Sequence, residues 1–363
     1  MNLNTDRDQA NHAVVVSDNH EKYVAAYKKL NGSIYHHPGW SEVLSAYSLR
    51  TYWLVAEQGD NIIGLLPLVR QSSFLFGQRL ISYPWVDETG VTGDVAAKQA
   101  LLARAAEMTI ELGSGWTVMI KPSLALEFDT TPQSYLVDKW GTAAGDKVLM
   151  RRHLSMSSQL LWKELSAKVR NQVRKAEKNG LQTMRGGTEM LADFFDVYSR
   201  NMRDLGSPSH SKRFFQKLLE ALGDRAAIYC TQLDGKTVGA GIVLDNRPSL
   251  DIPWASSLRE YNRLCVNHAL YWRILSDACD EGYQWFHFGR STIGSGQHRF
   301  KKQWGAEEKP LAWLCYPARQ EEARDGRNTA TLRSKFSIAE KLWRKLPLWM
   351  STRLGPRIIR HVP

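Results

Sequence analysis

The chain is poor in cysteine and has no apolar run as long as a bilayer span. Its four cysteines are far apart, without a CxxC pair, and this excludes a disulfide scaffold of the secreted type. The lack of a long apolar run predicts that no helix crosses a membrane. The N-terminus has no basic start followed by a long apolar segment, so we expect no signal peptide. We therefore expect a cytoplasmic protein.

Motifs for several common chemistries are also missing. No GxGxxG follows an early strand, which disfavours a dinucleotide-binding fold. No GxSxG elbow occurs and no cysteine neighbours a histidine, which disfavours a covalent nucleophile. His36 and His37 are adjacent in sequence, and His287 and His298 have no carboxylate at ligand spacing, so we expect no metal site.

The charge is strongly of one sign, with a formal net charge of +11. Such an excess favours an anionic partner, which could be nucleic acid, a phosphorylated cofactor, a nucleotide-sugar or an acidic membrane surface. No known nucleic-acid-binding motif is present, so duplex DNA is not an expected partner.

Apolar residues make up 43% of the chain, enough for a full core. Two segments of the chain resemble each other. Residues 52–69 and 228–244 each read as a hairpin with an acidic-glycine turn. In each, the second strand begins with a branched residue and a glycine, Ile63-Gly64 and Val238-Gly239. Helices precede both hairpins, and a strand and a helix follow. The pattern indicates a duplicated unit, although hairpins with such turns are common. We predict an α/β (α+β) fold with mixed, mostly antiparallel sheets flanked by helices.

The stretch FHFGRSTIGSGQHRFKKQWG, residues 286–305, is the first candidate site. Its glycines have the GxxxxG spacing of a phosphate loop, but the Lys-Ser/Thr pair is missing, so Walker chemistry is not expected. A glycine-rich bend after a strand can still bind an anion with its amides. We expect an anionic ligand there, with a solvated basic loop as the alternative. The residues concerned are the basic Arg290, Arg299, Lys301 and Lys302, with Trp304 packed beside the ligand.

Two further segments carry candidate residues. A polar and aromatic set, Trp254, Arg259, Asn267 and Tyr271, precedes or begins a helix and can line a substrate groove, although core packing explains the aromatic members equally well. Asp87 follows a strand and can accept a proton from an attacking amine or hydroxyl. A turn-capping role for Asp87 is the alternative.

The tail, residues 319–363, mixes tryptophan, leucine and isoleucine with basic residues. This composition is typical of a segment that lies on an anionic membrane surface, here the inner membrane. A helix docked on the body of the protein is the open alternative.

Several ordered segments together resemble the FemAB family. They include SIYHHPGW, YWLVAEQGDNIIGLLPLV, VRNQVRKAEKNGL, NMRDLGSPSHSKRFF, PWASSLREYN and FHFGRSTIGSGQHRFKKQWGAE. The similarity is greatest to the FemAB-like proteins of bacterial exopolysaccharide and exosortase (PEP-CTERM) systems, and it runs from about residue 34 to residue 316. The resemblance implies two GNAT-like acyltransferase domains in tandem, the second BioF2-like. We place them at residues 21–150 and 151–318, between a mobile N-terminus, 1–20, and the basic amphipathic tail.

The resemblance also implies the activity. Relatives transfer an amino acid from aminoacyl-tRNA to a cell-wall precursor, and others look like acyl-CoA-dependent N-acyltransferases. Lys301, with Phe300, and the basic helix around Arg170 and Arg174 match family motifs. Asp87 lies where relatives carry an acid, but its usual glycine neighbours are replaced by DETGVTG.

The resemblance therefore predicts an acyltransferase or aminoacyltransferase that acts by direct attack, without a covalent intermediate. Its co-substrate is acyl-CoA or aminoacyl-tRNA, and no cofactor is tightly bound. The acceptor is an amine or hydroxyl of a cell-envelope polysaccharide or peptidoglycan precursor. The alternative is a non-catalytic scaffold of an exopolysaccharide assembly complex, which the altered surroundings of Asp87 favour.

Overall fold

A computed structural model describes residues 13–73, 77–122, 139–317 and 339–362, except for the side chains of residues 143–146. The chain forms two compact units. The first comprises Met1–Gly145, Ala312–Glu322 and His361–Pro363, and the second comprises Asp146–Leu311 and Ala323–Arg360. The last strand therefore contributes to both units, whereas the sequence suggested one continuous second domain that ends at residue 318.

The first unit is a mixed sheet with helices. Its described strands are β1 Val14–Asp18, β2 Thr51–Gln58, β3 Asn61–Ser73, β4 Gly77–Ile81, β5 Thr92–Gly93 and β6 Trp116–Ile120. Its helices are α1 His20–Lys29, α2 Trp40–Ser45 and α3 Val95–Leu112. The sheet runs β1-β2-β3-β4-β6, antiparallel except for the parallel pair β4 and β6. β1 lies within the segment 1–20 that the sequence suggested to be mobile, and residues 1–12 lie outside the described residues.

Local signals explain where the helices of this unit begin. The side chain of Asn19 accepts a hydrogen bond from the Lys22 amide at 3.0 Å, and that of Asp94 accepts one from the Ala97 amide at 2.8 Å. These are N-caps, which satisfy amides that have no partner inside the helix. α3 then buries one apolar stripe, which includes Leu101 and Leu102, in the core.

The second unit has a sheet of the same kind. Its strands are β7 Gly141–His153, β8 Gln182–Gly186, β9 Ala226–Leu233, β10 Lys236–Asn246, β11 Ser249–Ser257, β12 Trp285–Thr292 and β13 Glu307–Tyr316. The first residues of β7 and the last residues of β13 belong to the first unit. The sheet order is β7-β12-β11-β10-β9-β8, and only β11 and β12 pair in parallel. Its helices are α4 Ser158–Glu164, α5 Ala167–Lys178, α6 Leu191–Leu205, α7 Lys212–Leu222, α8 Val266–Asp280, α9 Gly296–Gln303 and α10 Leu348–Ile359.

The core of the second unit contains the residues that the helical spacing predicted. Leu161, Leu165, Val169 and Val173 are all buried in one cluster, in which Trp304 is fully buried. α8 packs against β9, β10 and β11. The predicted fold class, mixed and mostly antiparallel sheets flanked by helices, is confirmed.

The two predicted hairpins, β2–β3 and β9–β10, are both present, and their glycines have the same function. A Cβ on Gly64 would lie 2.7 Å from the Cβ of Ala97 in α3. A Cβ on Gly239 would overlap Cγ1 of Val266 in α8. In each unit, a glycine in the second strand of the hairpin therefore lets the next long helix approach the sheet. That helix connects the unit's pair of parallel strands, β4 to β6 and β11 to β12.

The C-terminal segment contains a helix that packs on the second unit. α10 contacts α6, and Ser351, Gly355 and Ile359 are buried. The docked-helix interpretation of the tail thus applies to one face of α10. Residues 318–338, the first part of the tail, lie outside the described residues. Among the helices of the described segments, none combines the length and apolarity needed to cross a membrane.

Gly239→Ala should lower the free energy of unfolding by about 1–3 kcal/mol, because the added methyl group must displace α8 from β10. The control is Gly296→Ala in α9, where no heavy atom lies within 4 Å of the added Cβ and the backbone needs no glycine. Denaturant unfolding of both variants measures the difference. Equal stability of the two would contradict the close approach of α8.

Two buried histidines predict a loss of stability in mild acid. Burial lowers the pKa of His36 from 6.5 to about 4. The hydrogen bond to the Gly90 carbonyl raises the pKa and so opposes part of this effect. Burial lowers the pKa of His210 to about 3. The unfolded chain therefore binds protons below pH 6.5 that the native protein does not bind. The free energy of unfolding should fall as the pH falls from 6.5 towards 4, by about 2–4 kcal/mol for His36.

The pH dependence of unfolding checks this expectation. In His36→Gln, the slope of the unfolding free energy against pH should be smaller in this window, whatever the variant's stability at neutral pH. An unchanged slope would show that His36 does not contribute.

Candidate functional site

The parallel strands β11 and β12 separate along their length. They pair at Ser249↔Trp285, Leu250↔Phe286 and Asp251↔His287. Within the described part of the chain, the pairing ends there, although β11 continues to Ser257 and β12 to Thr292. Parallel neighbours join through backbone amides and carbonyls. The separation therefore leaves backbone groups on the β12 side of β11 for another partner.

A cleft of about 440 Å³ lies at the end of β11. Most of its lining residues are polar, and they come from α6, the end of β11, the turn that follows, the first turns of α8 and α9, and the C-terminal segment. The lining residues are Asn201, Asp204, Leu205, Ala255, Ser256, Ser257, Arg259, Asn262, Asn267, Gln297 and Arg344.

Hydrogen bonds between the lining residues hold several of these side chains in place. The Asn201 amide donates to Ser256 Oγ at 3.0 Å, and Ser257 Oγ donates to Asn262 Oδ1 at 3.0 Å. Arg344 donates to the Leu205 carbonyl at 3.3 Å. The cleft is thus built from side chains whose rotamers are constrained before a ligand enters, which lowers the entropic cost of binding.

The electrostatics of the cleft favour an anion. α8 begins at Val266, and its first amides form the positive end of a 15-residue helix. Asn267 lies in this first turn, and the exposed Arg259 and Arg344 add two positive charges. The acid in the lining, Asp204, is already paired with the neighbouring Arg203 at 2.7 Å. The arrangement can bind phosphate groups at a helix N-terminus.

Two of the four residues predicted from the polar and aromatic set, Arg259 and Asn267, line the cleft. Trp254 is buried against the rings of His210, Phe214 and Phe215. Tyr271 is buried in the main core of the unit. For the two aromatic residues, the structure shows the packing role that the sequence left open.

The stretch 286–305 forms β12, a turn and α9. Lys301 is buried, and its ammonium donates to the carbonyls of Gly289 and Arg290 at 3.1 and 2.9 Å. Arg299 donates to the Gly294 carbonyl, and Lys302 pairs with Glu308 at 2.6 Å. In this structure, all four predicted anion ligands therefore have partners within the fold, and Arg290 is half-buried. Their role in ligand binding, like that of the fully buried Trp304, stays a prediction.

The basic pair of α5 makes local contacts. Arg170 donates to the carbonyls at the end of α4, with a distance of 3.2 Å to Lys163, which is a C-terminal cap of that helix. Arg174 is exposed, and its guanidinium lies 5.4 Å from the ring centre of Trp162. Their contact with a donor stays a prediction, as does the catalytic role of Asp87, a half-buried residue of the first unit.

Two histidines have carboxylate neighbours that the sequence spacing did not reveal. His287 Nδ1 lies 3.1 Å from Asp251 Oδ1, because β12 and β11 pair at these residues. His298 Nε2 lies 3.1 Å from Glu308 Oε1. Sequence spacing does not reveal these neighbours, because sheet pairing and a turn bring together residues that are apart in sequence. The absence of a metal site stays a prediction.

Other lining residues were not predicted from the sequence, among them Asn201, Asp204, Gln297 and Arg344. Asn201 and Asp204 are three residues apart on α6 and so share one helix face. Both belong to the segment NMRDLG, which is part of the family resemblance but did not indicate a cleft. Nothing in the sequence indicated that Arg344 of the tail lies at the same cleft.

Residues 163–302 match the family model described as the acetyltransferase (GNAT) domain. This region contains most of the cleft. No curated protein sequence matches the chain.

Solved structures share the fold at low sequence identity. The structure of FemX is 13% identical in sequence with a TM-score of 0.65, and the alignment covers 83% of this chain and 96% of the FemX chain. The structure of L-PGS from Bacillus licheniformis is 11% identical in sequence with a TM-score of 0.56, and the alignment covers 91% of this chain and 98% of that chain. A tandem GNAT protein from the clavulanic acid biosynthesis pathway is 11% identical in sequence with a TM-score of 0.50, and the alignment covers 83% of this chain and 98% of that protein's chain. The GNAT-type fold is therefore established, and the narrower exosortase-associated branch of FemAB stays a prediction.

Lys301→Met should destabilise the protein by about 1–3 kcal/mol, because two partly buried carbonyls lose a charged donor. The matched variant is Lys302→Met on the same helix, whose exposed ammonium makes only a surface ion pair. If Lys301 also holds the donor, its variant should bind donor about tenfold or more weakly under conditions where it is fully folded. Unfolding curves and donor titrations on the same samples separate the two roles. Wild-type donor affinity in folded Lys301→Met would limit the role of Lys301 to folding.

Proposed function

We propose that the protein is an acyltransferase that transfers an acyl group from an acyl-CoA to an amine or hydroxyl, by direct attack within the cleft. The observation that carries the proposal is the separation of β11 and β12 beside the N-terminus of α8, inside a region that matches the acetyltransferase domain model. An open strand edge next to a positive helix end suits a donor that has a peptide-like arm and phosphate groups.

The proposed donor lies with its phosphates at the first turn of α8. There the backbone amides, Asn267, Arg259 and Arg344 supply donors and positive charge. The extended amide arm of the donor forms hydrogen bonds with the edge of β11 beyond Asp251. Its thioester then lies near the polar side chains of the cleft, among them Asn201 and Ser256.

The proposed reaction needs no covalent enzyme intermediate. The acceptor nitrogen or oxygen attacks the thioester carbonyl, and a carbon–nitrogen or carbon–oxygen bond forms. Backbone amides of the strand edge stabilise the oxyanion of the tetrahedral intermediate. As this intermediate collapses, the carbon–sulfur bond breaks and the thiolate leaves with the electron pair. The proton that the acceptor loses ends on the thiolate.

A proton acceptor is needed along the way, and Asp204 is the carboxylate that lines the cleft. In the structure its partner is the neighbouring Arg203, at 2.7 Å. Asp87, the acid that the resemblance suggests, is the alternative proton acceptor.

For the acceptor, the resemblance to the FemAB family supports a cell-envelope precursor, either a polysaccharide or a peptidoglycan peptide. The similarity to the structure of FemX is one of fold and does not identify the acceptor. Aminoacyl-tRNA is the second donor that the resemblance suggests. Because tRNA and coenzyme A are both polyanions, the donor must be identified by direct binding.

Asn267→Asp tests the proposed donor site. The change keeps the shape of the side chain but places a negative charge among the α8 amides, so it should weaken the binding of an anionic donor at least about tenfold, the ~1.5–3 kcal/mol of a charge-assisted contact. The helix itself should be unaffected or slightly more stable, because an acid favours a helix N-terminus. Isothermal titration with acetyl-CoA, a long-chain acyl-CoA and a charged tRNA mixture measures the affinities.

The control is Asn61→Asp, the same chemical change at the exposed first residue of β3 in the first unit. Loss of acyl-CoA binding in Asn267→Asp alone supports the proposed site and donor. Binding of tRNA but not of acyl-CoA would identify the other donor class. Binding of no donor by the wild-type protein would contradict the enzyme proposal and favour the scaffold of an assembly complex.

A further inference from the structure

α10 has one face that packs on the second unit. Ser351, Gly355 and Ile359 recur every four residues and are buried. A Cβ on Gly355 would lie 2.8 Å from the backbone nitrogen and oxygen of Ser209, so the helix lies directly against the loop after α6. This docking holds α10 in one orientation and thereby determines which side chains point away.

A second stripe lies on the opposite side of the helix. Trp349, Arg353 and Arg357 also recur every four residues, and all three are exposed. The Trp349 side chain is 67% exposed, and Ile358 beside this stripe is 41% exposed. A tryptophan this exposed is unusual, because indole is among the largest apolar groups a protein can bury.

The residues just before α10 continue the same composition. Leu342 is 62% exposed, between the exposed Lys341 and Lys345. We call the exposed side chains of residues 341–358 the C-terminal face. Its exposed members are Lys341, Leu342, Arg344, Lys345, Pro347, Trp349, Arg353, Arg357 and Ile358. None of them is an acid, and the exposed Glu340 just before them lies 3.9 Å from Arg344. The face is therefore apolar and basic together.

We propose that the C-terminal face binds the surface of a bilayer that contains anionic phospholipid. Tryptophan is enriched at membrane interfaces, where its ring lies at the level of the head groups. Arginine and lysine around it are attracted to anionic lipids. Because no described helix can cross a membrane, α10 lies on the surface, with its buried face still against the protein.

The charge of the face decides between this partner and others. A protein partner that covered the face would have to neutralise four basic side chains, Lys341, Lys345, Arg353 and Arg357, around an exposed indole. A lipid head-group region supplies negative charge over the whole face without any particular geometry. The proposal is independent of the transfer reaction, since most of these side chains lie outside the cleft lining.

Vesicle sedimentation of the full-length protein tests the proposal. Vesicles of phosphatidylcholine alone are compared with vesicles that also contain phosphatidylglycerol. The wild-type protein should sediment with the second kind only, and added salt should release it. Arg353→Ala combined with Arg357→Ala should lower the partition coefficient about thirty-fold, since each basic side chain near an anionic surface contributes ~1 kcal/mol. Trp349→Ala should weaken binding and leave the dependence on salt unchanged.

The matched control is Lys175→Ala combined with Lys178→Ala, which removes two exposed positive charges from α5. It should sediment like the wild-type protein. Equal loss in the control and the α10 variant would show that net charge, not this face, drives binding. Equal binding to both kinds of vesicle, or to neither, would overturn the proposal. Donor titration of the Trp349 and Arg353/Arg357 variants should remain at the wild-type value, which separates this result from any failure of the proposed function.

Discussion

The separation of two parallel strands is the constraint on which the candidate site depends. β11 and β12 pair over three residues and then diverge, although both strands continue. α8, which connects them, is held close to the sheet by Gly239, where any side chain would collide with Val266. The N-terminus of α8 is thereby fixed at the open end of the strands. A positive helix end and an unpaired strand edge come from the same local geometry, and the cleft lies where they meet.

Basic residues of the second unit make two kinds of contact: some bind backbone carbonyls of the protein, and others line the cleft. Lys301 and Arg170 lie on backbone carbonyls, and both close a local segment of the chain. Arg259 and Arg344 project into the cleft, where a ligand can reach them. A cation near a glycine-rich turn has two competing partners, an external anion and the carbonyls of the turn. Burial decides between them, since a buried ammonium without acceptors is far more costly than an exposed one.

The C-terminal segment contributes side chains both to the cleft and to the exposed surface of the second unit. Arg344 reaches the cleft of the second unit, while α10 packs through Gly355 and exposes Trp349 on the other side. The domain model ends at residue 302, so this segment is an addition to the matched region. The same short segment therefore contributes to the proposed donor site and to the proposed membrane surface.

The sequence by itself determined the elements and their repetition. Helical spacing predicted the buried stripe of Leu161, Leu165, Val169 and Val173, and the two glycine hairpins predicted a duplicated, mostly antiparallel architecture. These are local signals, carried by residues within one or two turns or strands. The sequence also predicted Arg259 and Asn267 of the cleft, but tertiary structure decided which other polar residues lie beside them. Asn201, Gln297 and Arg344 come from three separate segments, and the pairing of His287 with Asp251 depends on strand register. Such contacts arise from packing over long sequence separations, which no periodicity or spacing encodes.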